Sequence, residues 1–280
     1  MKLPAAYRWF NRIAGRLAPA ATGGLAARLF LTPRRHPLRG RLPPPRRIER
    51  LADGELRCWG GTPTVLLLHG WSDRPESLQA LVAALLADGH GVAAVVPPGH
   101  VGERPTASHP EAFARALLAA GERLGPLQAA IGHSMGGGAL LAALARGLDV
   151  HCAVTIAAPS SVSGPMRRFA RAAMLPARAR DVFRQCVVDC VGVPEREFDV
   201  FAVAPRIRAS LLLVHDEADR QVPFADLQDI REALPQASVL VTRGLGHQRI
   251  LADAGVVERV RAFVAACGQP AAAARDRAVA

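Results

Sequence analysis

One serine in the sequence stands where a strand, a tight turn and a helix are predicted to meet. Residues 132–136 read Gly-His-Ser-Met-Gly, directly after the apolar run 128–131 and directly before a segment rich in Ala and Leu. In this setting the pattern Gly-x-Ser-x-Gly indicates a reactive serine, because a tight turn between a strand and a helix lifts the serine hydroxyl clear of the sheet. The alternative is a glycine-rich turn that contains a serine by chance, since the pattern alone is common. In this setting we interpret Ser134 as a nucleophile.

A serine hydroxyl becomes an effective nucleophile when a neighbouring base accepts its proton. Nine histidines compete for that role. His247 alone follows the last apolar run, 239–241, in a loop where a base is expected. His69 and His133 belong to motifs at other strand ends, which favours supporting roles for them. We therefore predict that His247 is the base.

The third member of such a site is a carboxylate that orients the base. Three carboxylates follow the apolar run 211–214, in the order Asp216, Glu217 and Asp219. Residues at the carboxyl ends of parallel strands share one crevice. A serine, a histidine and a carboxylate are therefore expected to meet there, and position alone leaves all three acids as candidates.

The segments between these residues alternate between strand and helix. The apolar runs are short and nearly continuous, which is typical of strands buried on both faces of a parallel sheet. Their alternation with helical segments predicts an α/β fold, a mostly parallel central sheet with helices on both faces. The runs lie at 65–68, 92–96, 128–131, 152–157, 211–214 and 239–241, and the helical segments at about 76–88, 110–124, 135–147, 225–234 and 254–267.

A β-hairpin is predicted before the first of these runs. Residues 47–51 and 55–59 flank Asp53-Gly54, a pair favoured in tight turns. The folded core is therefore expected to begin near residue 46.

A segment of about fifty residues between 157 and 210 interrupts the alternation. A structureless loop of this length is uncommon in a compact domain, so we interpret residues 161–204 as a helical cap inserted into the core. Its apolar residues are candidates to line a substrate pocket, namely Phe169, Met174, Leu175 and Phe183. Its arginines either face solvent or meet an anionic substrate, and they are Arg167, Arg168, Arg171, Arg178, Arg180 and Arg184.

Four blocks of residues, in this order along the chain, resemble the α/β-hydrolase superfamily of serine hydrolases. The resemblance extends over residues 46–267 and is greatest to bacterial carboxylesterase-like or lysophospholipase-like members with a helical cap. It implies the α/β-hydrolase fold, in which the acid and the histidine follow the serine. Members with this set are typically esterases, lipases, thioesterases and C–C hydrolases. The blocks are His69-Gly70-Trp71, residues 132–137, Asp219 with Val222-Pro223, and Gly246-His247.

The resemblance also implies roles for single residues. The family pattern places the acid three residues before a Val-Pro pair, which selects Asp219 and leaves Asp216 as its rival. The backbone N–H groups of Trp71 and Met135 would bind the oxyanion that develops during attack. Relatives usually carry an Asp before the Pro-Gly-His turn, where residues 96–100 of this chain read Val-Pro-Pro-Gly-His. We expect this departure to affect the anchoring of the loop and not the chemistry.

The expected activity is hydrolysis of a carboxylic ester through an acyl–Ser134 intermediate, with a small-molecule ester as the partner and with no cofactor and no metal. An acyl thioesterase or a lysophospholipase on the same three residues is the alternative. A non-catalytic ligand-binding protein on this fold is a further one. The core is expected to comprise residues 46–160 and 205–267, and residues 268–280 are expected to form a flexible tail.

The basic character of the chain is confined to its first residues. Residues 1–50 hold twelve Lys and Arg against one acid, Glu49, which accounts for the whole net charge of +11. We predict that residues 1–45 form a basic helical arm followed by a linker rich in Pro and Arg. A solvated arm is the favoured interpretation, weak contact with an anionic membrane surface is the alternative, and no nucleic acid is expected as a partner.

The expected location is cytoplasmic. No stretch of about 18 residues is apolar and uncharged enough to span a membrane. Arginines interrupt the N-terminal stretch, where a secretory signal needs a continuous apolar run. The five cysteines are scattered, with no Cys-x-x-Cys pair, which favours reduced thiols over disulfides or a zinc site.

Overall fold

An eight-stranded sheet forms the centre of the computed structural model, which describes residues 4–34, 40–102 and 106–268. In chain order the strands are β1 Arg47–Leu51, β2 Gly54–Trp59, β3 Pro63–Leu68, β4 Gly91–Val96, β5 Leu127–His133, β6 Val150–Ile156, β7 Ser210–Asp216 and β8 Ser238–Thr242. Across the sheet they lie in the order β1-β2-β4-β3-β5-β6-β7-β8. The β1–β2 and β2–β4 pairs are antiparallel and the other pairs are parallel. The predicted α/β fold with a mostly parallel sheet is confirmed.

Helices account for most of the remaining described residues. They are α1 Ala5–Leu17, α2 Pro19–Leu31, α3 Gln79–Ala87, α4 Pro110–Leu124, α5 Met135–Ala145, α6 Ser163–Ala172, α7 Ala177–Val191, α8 Val200–Val203, α9 Phe224–Ala233, α10 Gly246–Arg249 and α11 Ala254–Gly268. Short 3₁₀ segments lie at Pro75–Leu78, Glu195–Phe198, Ala204–Arg206 and Ile250–Ala252. The five helical segments predicted between the strands coincide with α3, α4, α5, α9 and α11.

The continuous apolar strands bury side chains on both faces of the sheet. Successive residues of a strand point to opposite faces, so Val65 and Leu67 of β3 join one buried cluster while Leu66 and Leu68 join another. Side chains of α3 and α11 complete the first cluster, and side chains of α4 and α5 complete the second. Two covered faces explain why the strands show no alternation between apolar and polar residues.

The predicted hairpin is confirmed. β1 and β2 pair in antiparallel register, with Leu51 opposite Gly54. Gly54 has a φ of 115°, which side chains rarely tolerate. A Cβ at this position would also lie 2.4 Å from the carbonyl oxygen of Val96. The turn therefore requires glycine on two grounds.

Residues 161–204, predicted to be a helical insertion, contain α6, α7, α8 and the 3₁₀ segment Glu195–Phe198. The helices α6 and α7 carry a buried cluster that is separate from the two clusters of the sheet. This cluster includes Phe169, whose ring stacks on that of Phe183 at a centroid distance of 5.3 Å. The cap helices therefore pack around an apolar cluster that is distinct from the core of the sheet.

The expectation of a solvated N-terminal arm is wrong for α2. Ala26, Ala27 and Leu31 are buried in the cluster of the cap. The ring of Phe30 lies 5.1 Å from Phe169 and 5.5 Å from Phe183. The expectation was based on the net charge of the first fifty residues as a whole. That charge does not describe α2, which carries Arg28 as its single charged residue.

Two adjacent glycines of α2 differ in their surroundings. A Cβ at Gly23 would lie 2.6 Å from the carbonyl oxygen of Ala179 and 2.7 Å from Cβ of Val182, both in α7, whereas a Cβ at Gly24 would meet nothing within 4 Å. Alanine is a better helix former than glycine by up to about 1 kcal/mol. Gly24→Ala should therefore raise the free energy of unfolding slightly.

Gly23→Ala should instead lower the free energy of unfolding by about 1–2 kcal/mol, since overpacking against a backbone costs more than the helix propensity contributes. Urea unfolding of the two variants beside the wild type measures the difference. Equal stabilisation by both alanines would show that α2 and α7 do not pack this closely.

Two expectations fall partly outside the described residues. The predicted tail at 268–280 lies outside them except for Gly268, and residues 35–39 of the predicted linker do as well.

Within the described part of the chain, no helix combines the length and the apolar character that crossing a bilayer requires.

Candidate active site

The turn between β5 and α5 holds Ser134 in a strained conformation. Its φ is 54°, a region that is uncommon for a residue with a side chain. The Ser134 N–H donates to the carbonyl oxygen of Ile156 at 2.8 Å. The strain therefore persists because hydrogen bonds at the end of the sheet hold the turn in place.

The glycines of the motif allow the backbone to close around this serine. A Cβ at Gly132 would lie 2.5 Å from the carbonyl oxygen of Gly136, and a Cβ at Gly136 would lie 2.5 Å from that of Leu68. A Cβ at Gly70 would lie 2.9 Å from Cβ of Ser134. All three contacts are closer than a side chain permits, so these positions require glycine.

The structure brings together the three residues predicted to act as nucleophile, base and acid. The Ser134 Oγ lies 2.9 Å from Nε2 of His247, and Nδ1 of the same ring lies 2.6 Å from Oδ2 of Asp219. Asp219 follows β7 and His247 lies in α10, just after β8. A neutral imidazole that donates from Nδ1 to the carboxylate leaves Nε2 free to accept the hydroxyl proton.

Asp219 is held as a carboxylate. Burial alone would raise its pKa, but the interaction with His247 and the backbone hydrogen bonds from Gln221 and Val222 together lower it, and the net pKa lies below its ordinary value. Its second oxygen, Oδ1, accepts from the backbone N–H groups of Gln221 at 2.7 Å and Val222 at 3.0 Å. The carboxylate is therefore fixed in place and ionised opposite the imidazole.

The rival carboxylate, Asp216, faces other partners. Its Oδ1 accepts from the N–H of Ala218 at 2.9 Å, and its Oδ2 accepts from the hydroxyl of Thr242 at 2.7 Å and the N–H of Leu245 at 2.9 Å. These bonds join the loop after β7 to the loop after β8. Asp216 therefore holds the two loops together, and Asp219 is the carboxylate that contacts His247.

Two buried histidines lie beside the site and remain neutral. The ring of His133 lies 4.8 Å from that of His247, and its Nε2 donates to the His247 carbonyl oxygen at 3.0 Å. Burial, followed by the charge of His247, lowers the pKa of His133 to about 3. Burial likewise lowers the pKa of His69 to about 3, and its Nδ1 donates to the Gly70 carbonyl oxygen at 2.8 Å. Both support the backbone of the site, as expected for histidines at strand ends.

The low pKa of His133 makes the protein less stable in acid. The unfolded chain takes up a proton at this histidine below about pH 6.5, while the folded chain does so only near pH 3. Unfolding therefore binds a proton between these values, and the free energy of unfolding falls as pH falls. His133→Gln keeps a donor at the Nε2 position, and it should reduce this fall by about 1.4 kcal/mol per pH unit.

Urea unfolding at several pH values between about 6 and 4 measures this difference in slope. The matched control is His151→Gln, because His151 is exposed on the surface and its replacement should leave the slope unchanged. An identical slope for His133→Gln and the wild type would contradict the neutral state of buried His133.

The predicted oxyanion donors both border the cavity that contains Ser134. Met135 begins α5, directly after the serine, and Trp71 follows Gly70 at the end of β3. The ring of Trp71 stacks on Phe113 at a centroid distance of 6.0 Å. Aromatic packing therefore holds the loop that carries the Trp71 N–H.

His100 anchors the same loop. It follows the turn Pro97-Pro98-Gly99, and its Nε2 accepts from the N–H of Ser72 at 3.1 Å. The His100 N–H closes a turn onto the carbonyl oxygen of Pro97 at 3.0 Å. The hydroxyl of Ser72 accepts from the N–H of Arg34 at 2.8 Å, so the residues after α2 are tied to this loop as well.

A cavity of about 370 Å³ opens onto Ser134 and His247. Its walls are mainly apolar and come from α2, α6, α7 and the residues that follow α7. Sequence reasoning missed the contribution of α2, although the run Leu29-Phe30-Leu31 is a signal for it. The apolar lining includes Leu29, Phe30, Leu31, Met166, Phe169, Val187, Val188, Val191, Val193 and Phe198.

Of the four cap residues predicted to line the pocket, Phe169 does so. The structure corrects the other three. Phe183 is buried behind Phe169 against α2. Met174 and Leu175 border a different groove, on the surface between α1 and the cap. An apolar residue in a cap helix can face the core of the cap, the cavity or a third helix, and helical spacing does not distinguish these.

The arginines of the cap do not act as one group. Arg168 lines the cavity, and its guanidinium lies 3.7 Å from the carboxylate of Asp226. Burial lowers the pKa of Arg168, and the charge of Asp226 opposes this effect. Arg167 and Arg171 border the surface groove, and Arg184 pairs with Glu195 at 2.8 Å. Arg168 alone of these places a cation beside the site.

Comparisons with known proteins agree with this architecture. A family model described as "Alpha/beta hydrolase family" matches residues 65–266. A search of curated protein sequences finds no match to this chain.

Solved structures give fold-level similarity at low sequence identity. An esterase from Pyrococcus furiosus is 19% identical, with a TM-score of 0.62, over 84% of this chain and 98% of that chain. A bacterial membrane phospholipase A, described as a virulence factor, is 18% identical, with a TM-score of 0.59, over 92% of this chain and 96% of that one. A monoacylglycerol lipase from Paleococcus ferrophilus is 20% identical, with a TM-score of 0.55, over 76% and 97%.

Proposed function

This chain belongs to the alpha/beta hydrolase family, and we propose that it hydrolyses carboxylic esters through a covalent acyl–Ser134 intermediate. The observation that carries the proposal is the pair of hydrogen bonds, 2.9 Å and 2.6 Å long, that join Ser134 to His247 and His247 to Asp219. A serine, an imidazole and a carboxylate in this arrangement form the recurrent machinery of acyl transfer.

In the acylation step, Nε2 of His247 accepts the hydroxyl proton as the Ser134 Oγ attacks the ester carbonyl carbon. The resulting oxyanion accepts hydrogen bonds from the N–H groups of Trp71 and Met135. The intermediate then collapses, the bond to the alcohol oxygen breaks, and the imidazolium gives its proton to that oxygen.

A water molecule completes the reaction. His247 takes one of its protons as the oxygen attacks the acyl–Ser134 carbonyl, and it then returns the proton to Oγ as the carboxylic acid leaves. Asp219 stays ionised throughout, so it orients the imidazole and stabilises its charged form. Each turnover consumes one water and leaves the residues of the site unchanged.

The walls of the cavity favour a substrate with an apolar acyl chain. Aliphatic and aromatic side chains of α2, α6 and α7 surround the space next to Ser134, as is usual for pockets that bind apolar ligands. The names of the similar structures include an esterase, a monoacylglycerol lipase and a phospholipase, which supports the same substrate class.

A fluorophosphonate probe tests the proposal. The probe should label the protein at Ser134, and a labelling-competition assay should rank neutral esters of increasing acyl length, acyl thioesters and lysophospholipids. Protection by esters together with their turnover is the expected result. A protein that is not labelled and turns over no ester would instead be a ligand-binding member of the family.

Arg168 favours a second candidate within the same chemistry, a lysophospholipase or acyl-CoA thioesterase, because a cation borders the cavity. A charge-assisted hydrogen bond contributes about 1.5–3 kcal/mol. Arg168→Gln should therefore raise KM for lysophospholipid or acyl-CoA about tenfold or more and leave neutral esters unchanged. The control is Arg178→Gln, an exposed cap arginine outside the cavity lining. An equal KM for anionic substrates in both variants would contradict anion recognition by Arg168.

A further inference from the structure

The orientation of α1 on the cap is fixed by one of its faces. The amide Nδ2 of Asn11 is buried and donates to the carbonyl oxygen of Ala173 at 3.0 Å. Gly15 lies so close to the cap that an added Cβ would be 2.7 Å from Cδ of Pro176. These contacts determine which face of α1 is turned outward.

The outward face of α1 is apolar. The exposed large apolar side chains of α1 are Trp9 (57%), Phe10 (57%), Ile13 (61%) and Leu17 (83%). Among the described residues nine large apolar side chains are exposed, and four of them lie on this one helix. A contiguous apolar patch of this kind marks a surface that binds a protein or a membrane.

A basic groove adjoins this face. Its walls carry Arg12 and Arg16 from α1 together with Arg167, Arg171 and Arg180 from the cap, and none of the residues that line it is acidic. All five arginines are exposed. The guanidinium of Arg12 also lies 5.2 Å from the centre of the Trp9 ring. The mutual repulsion of five cations favours an anion in the groove.

We propose that α1 and this groove form a docking surface for a lipid bilayer that contains anionic phospholipids. Helices with aromatic and aliphatic residues on one face and arginines beside them lie in the plane of the membrane interface. The apolar side chains enter the acyl boundary, and the arginines meet the phosphate groups of the lipids.

The cavity and the docking surface share one helix. Met166 and Phe169 of α6 face the cavity, while Arg167 and Arg171 of the same helix face the groove. Docking therefore brings the cavity to within about one helix diameter, ~10 Å, of the lipid headgroups.

The charges on α1 argue against two other occupants. A second copy of the chain on the same face would bring two rows of arginines, at Arg8, Arg12 and Arg16, toward each other. A nucleic acid would neutralise the arginines but leave the apolar row exposed. An anionic bilayer would cover the apolar row and also neutralise the arginines.

Vesicle flotation tests the proposal on the full chain, carrying Ser134→Ala so that no lipid is hydrolysed. The vesicles are pure phosphatidylcholine or an equimolar mixture of phosphatidylcholine and phosphatidylglycerol. We expect binding to the mixed vesicles, weakened by salt, and little binding to phosphatidylcholine alone. Because the readout is binding, the result is independent of the proposed ester hydrolysis.

Paired variants separate the contributions of the face and the groove. Phe10→Ser with Ile13→Ser should lower the vesicle partition coefficient about tenfold or more. The matched control is Phe201→Ser with Ile48→Ser, since these residues are 51% and 56% exposed elsewhere on the protein. Arg12→Gln with Arg16→Gln should lower partition by about tenfold or more, whereas Arg231→Gln with Arg259→Gln, two exposed arginines of α9 and α11, should not.

Several outcomes would overturn the proposal. One is equal binding to both kinds of vesicle, and another is unchanged binding in the α1 variants. A dimer that the Phe10 and Ile13 changes dissociate, without vesicle binding by the wild type, would make the face an interface between copies. Retention on an oligonucleotide in place of vesicles would assign the arginines to nucleic acid.

Discussion

Replacing Ser134 with alanine is expected to lower kcat/KM for ester hydrolysis by about 10³- to 10⁶-fold. Without the hydroxyl no acyl–enzyme can form, and the remaining rate comes from binding and from the oxyanion donors alone. The hydroxyl interacts with His247 Nε2 at the edge of the cavity, so its loss should change the free energy of unfolding by no more than about 1 kcal/mol. Activity on a p-nitrophenyl ester and a urea unfolding curve measure the two effects separately.

The matched control is Ser161→Ala, because Ser161 is half-buried before α6 and its hydroxyl contacts that of Ser163, 3.2 Å away. This variant should keep nearly all of the activity and the stability. If Ser134→Ala hydrolysed the ester as fast as the wild type while remaining folded, the acyl–Ser134 mechanism would be wrong. If Ser134→Ala failed to fold, a folded Ser134→Cys variant would take its place. Loss of fluorophosphonate labelling in that variant would support Ser134 as the nucleophile, and unchanged labelling would contradict it.

The residues of the proposed site could be predicted because the fold gathers strand ends. In a parallel sheet the carboxyl end of each strand opens into one crevice, so Ser134 after β5, Asp219 after β7 and His247 after β8 had to be neighbours. Position after the strand alone left Asp216 and Asp219 open, and it was the resemblance to the family pattern that favoured Asp219. That decision depends on which carboxylate the turn after β7 directs toward the imidazole, a matter of backbone hydrogen bonds.

The wall of the cavity could not be predicted in the same way. Leu29, Phe30 and Leu31 lie more than a hundred residues before the α6 and α7 side chains that they meet. Helical spacing identifies an apolar face but does not identify its partner, so Met174 and Leu175 were as plausible in the cavity as Phe169. The small residues that permit close packing, such as Gly23, look like helix breakers in a sequence.

The packing of α2 reverses an expectation based on charge. A solvated arm, as expected from the sequence, would be dispensable for folding and activity. In the structure, removing residues 1–34 takes away one wall of the cavity, along with Phe30 and the bond from the Arg34 N–H to Ser72. It also exposes the rings of Phe169 and Phe183, which are buried in the full chain.

We therefore expect the chain without residues 1–34 to aggregate, or to lose ester hydrolysis by about a hundredfold or more where it stays in solution. Loss of a few large buried contacts costs several kcal/mol, which is a large part of the stability of a typical domain.

Removing residues 1–18 is the control, because that chain loses α1 but keeps α2. It should retain most of its activity on esters in solution and lose vesicle binding. Yield, unfolding curves and kcat/KM for esters of increasing acyl length compare the two truncations. If the chain without residues 1–34 kept its solubility and the full preference for long acyl groups, α2 would have no part in the cavity. The acyl group would then have to lie against α6 and α7 alone.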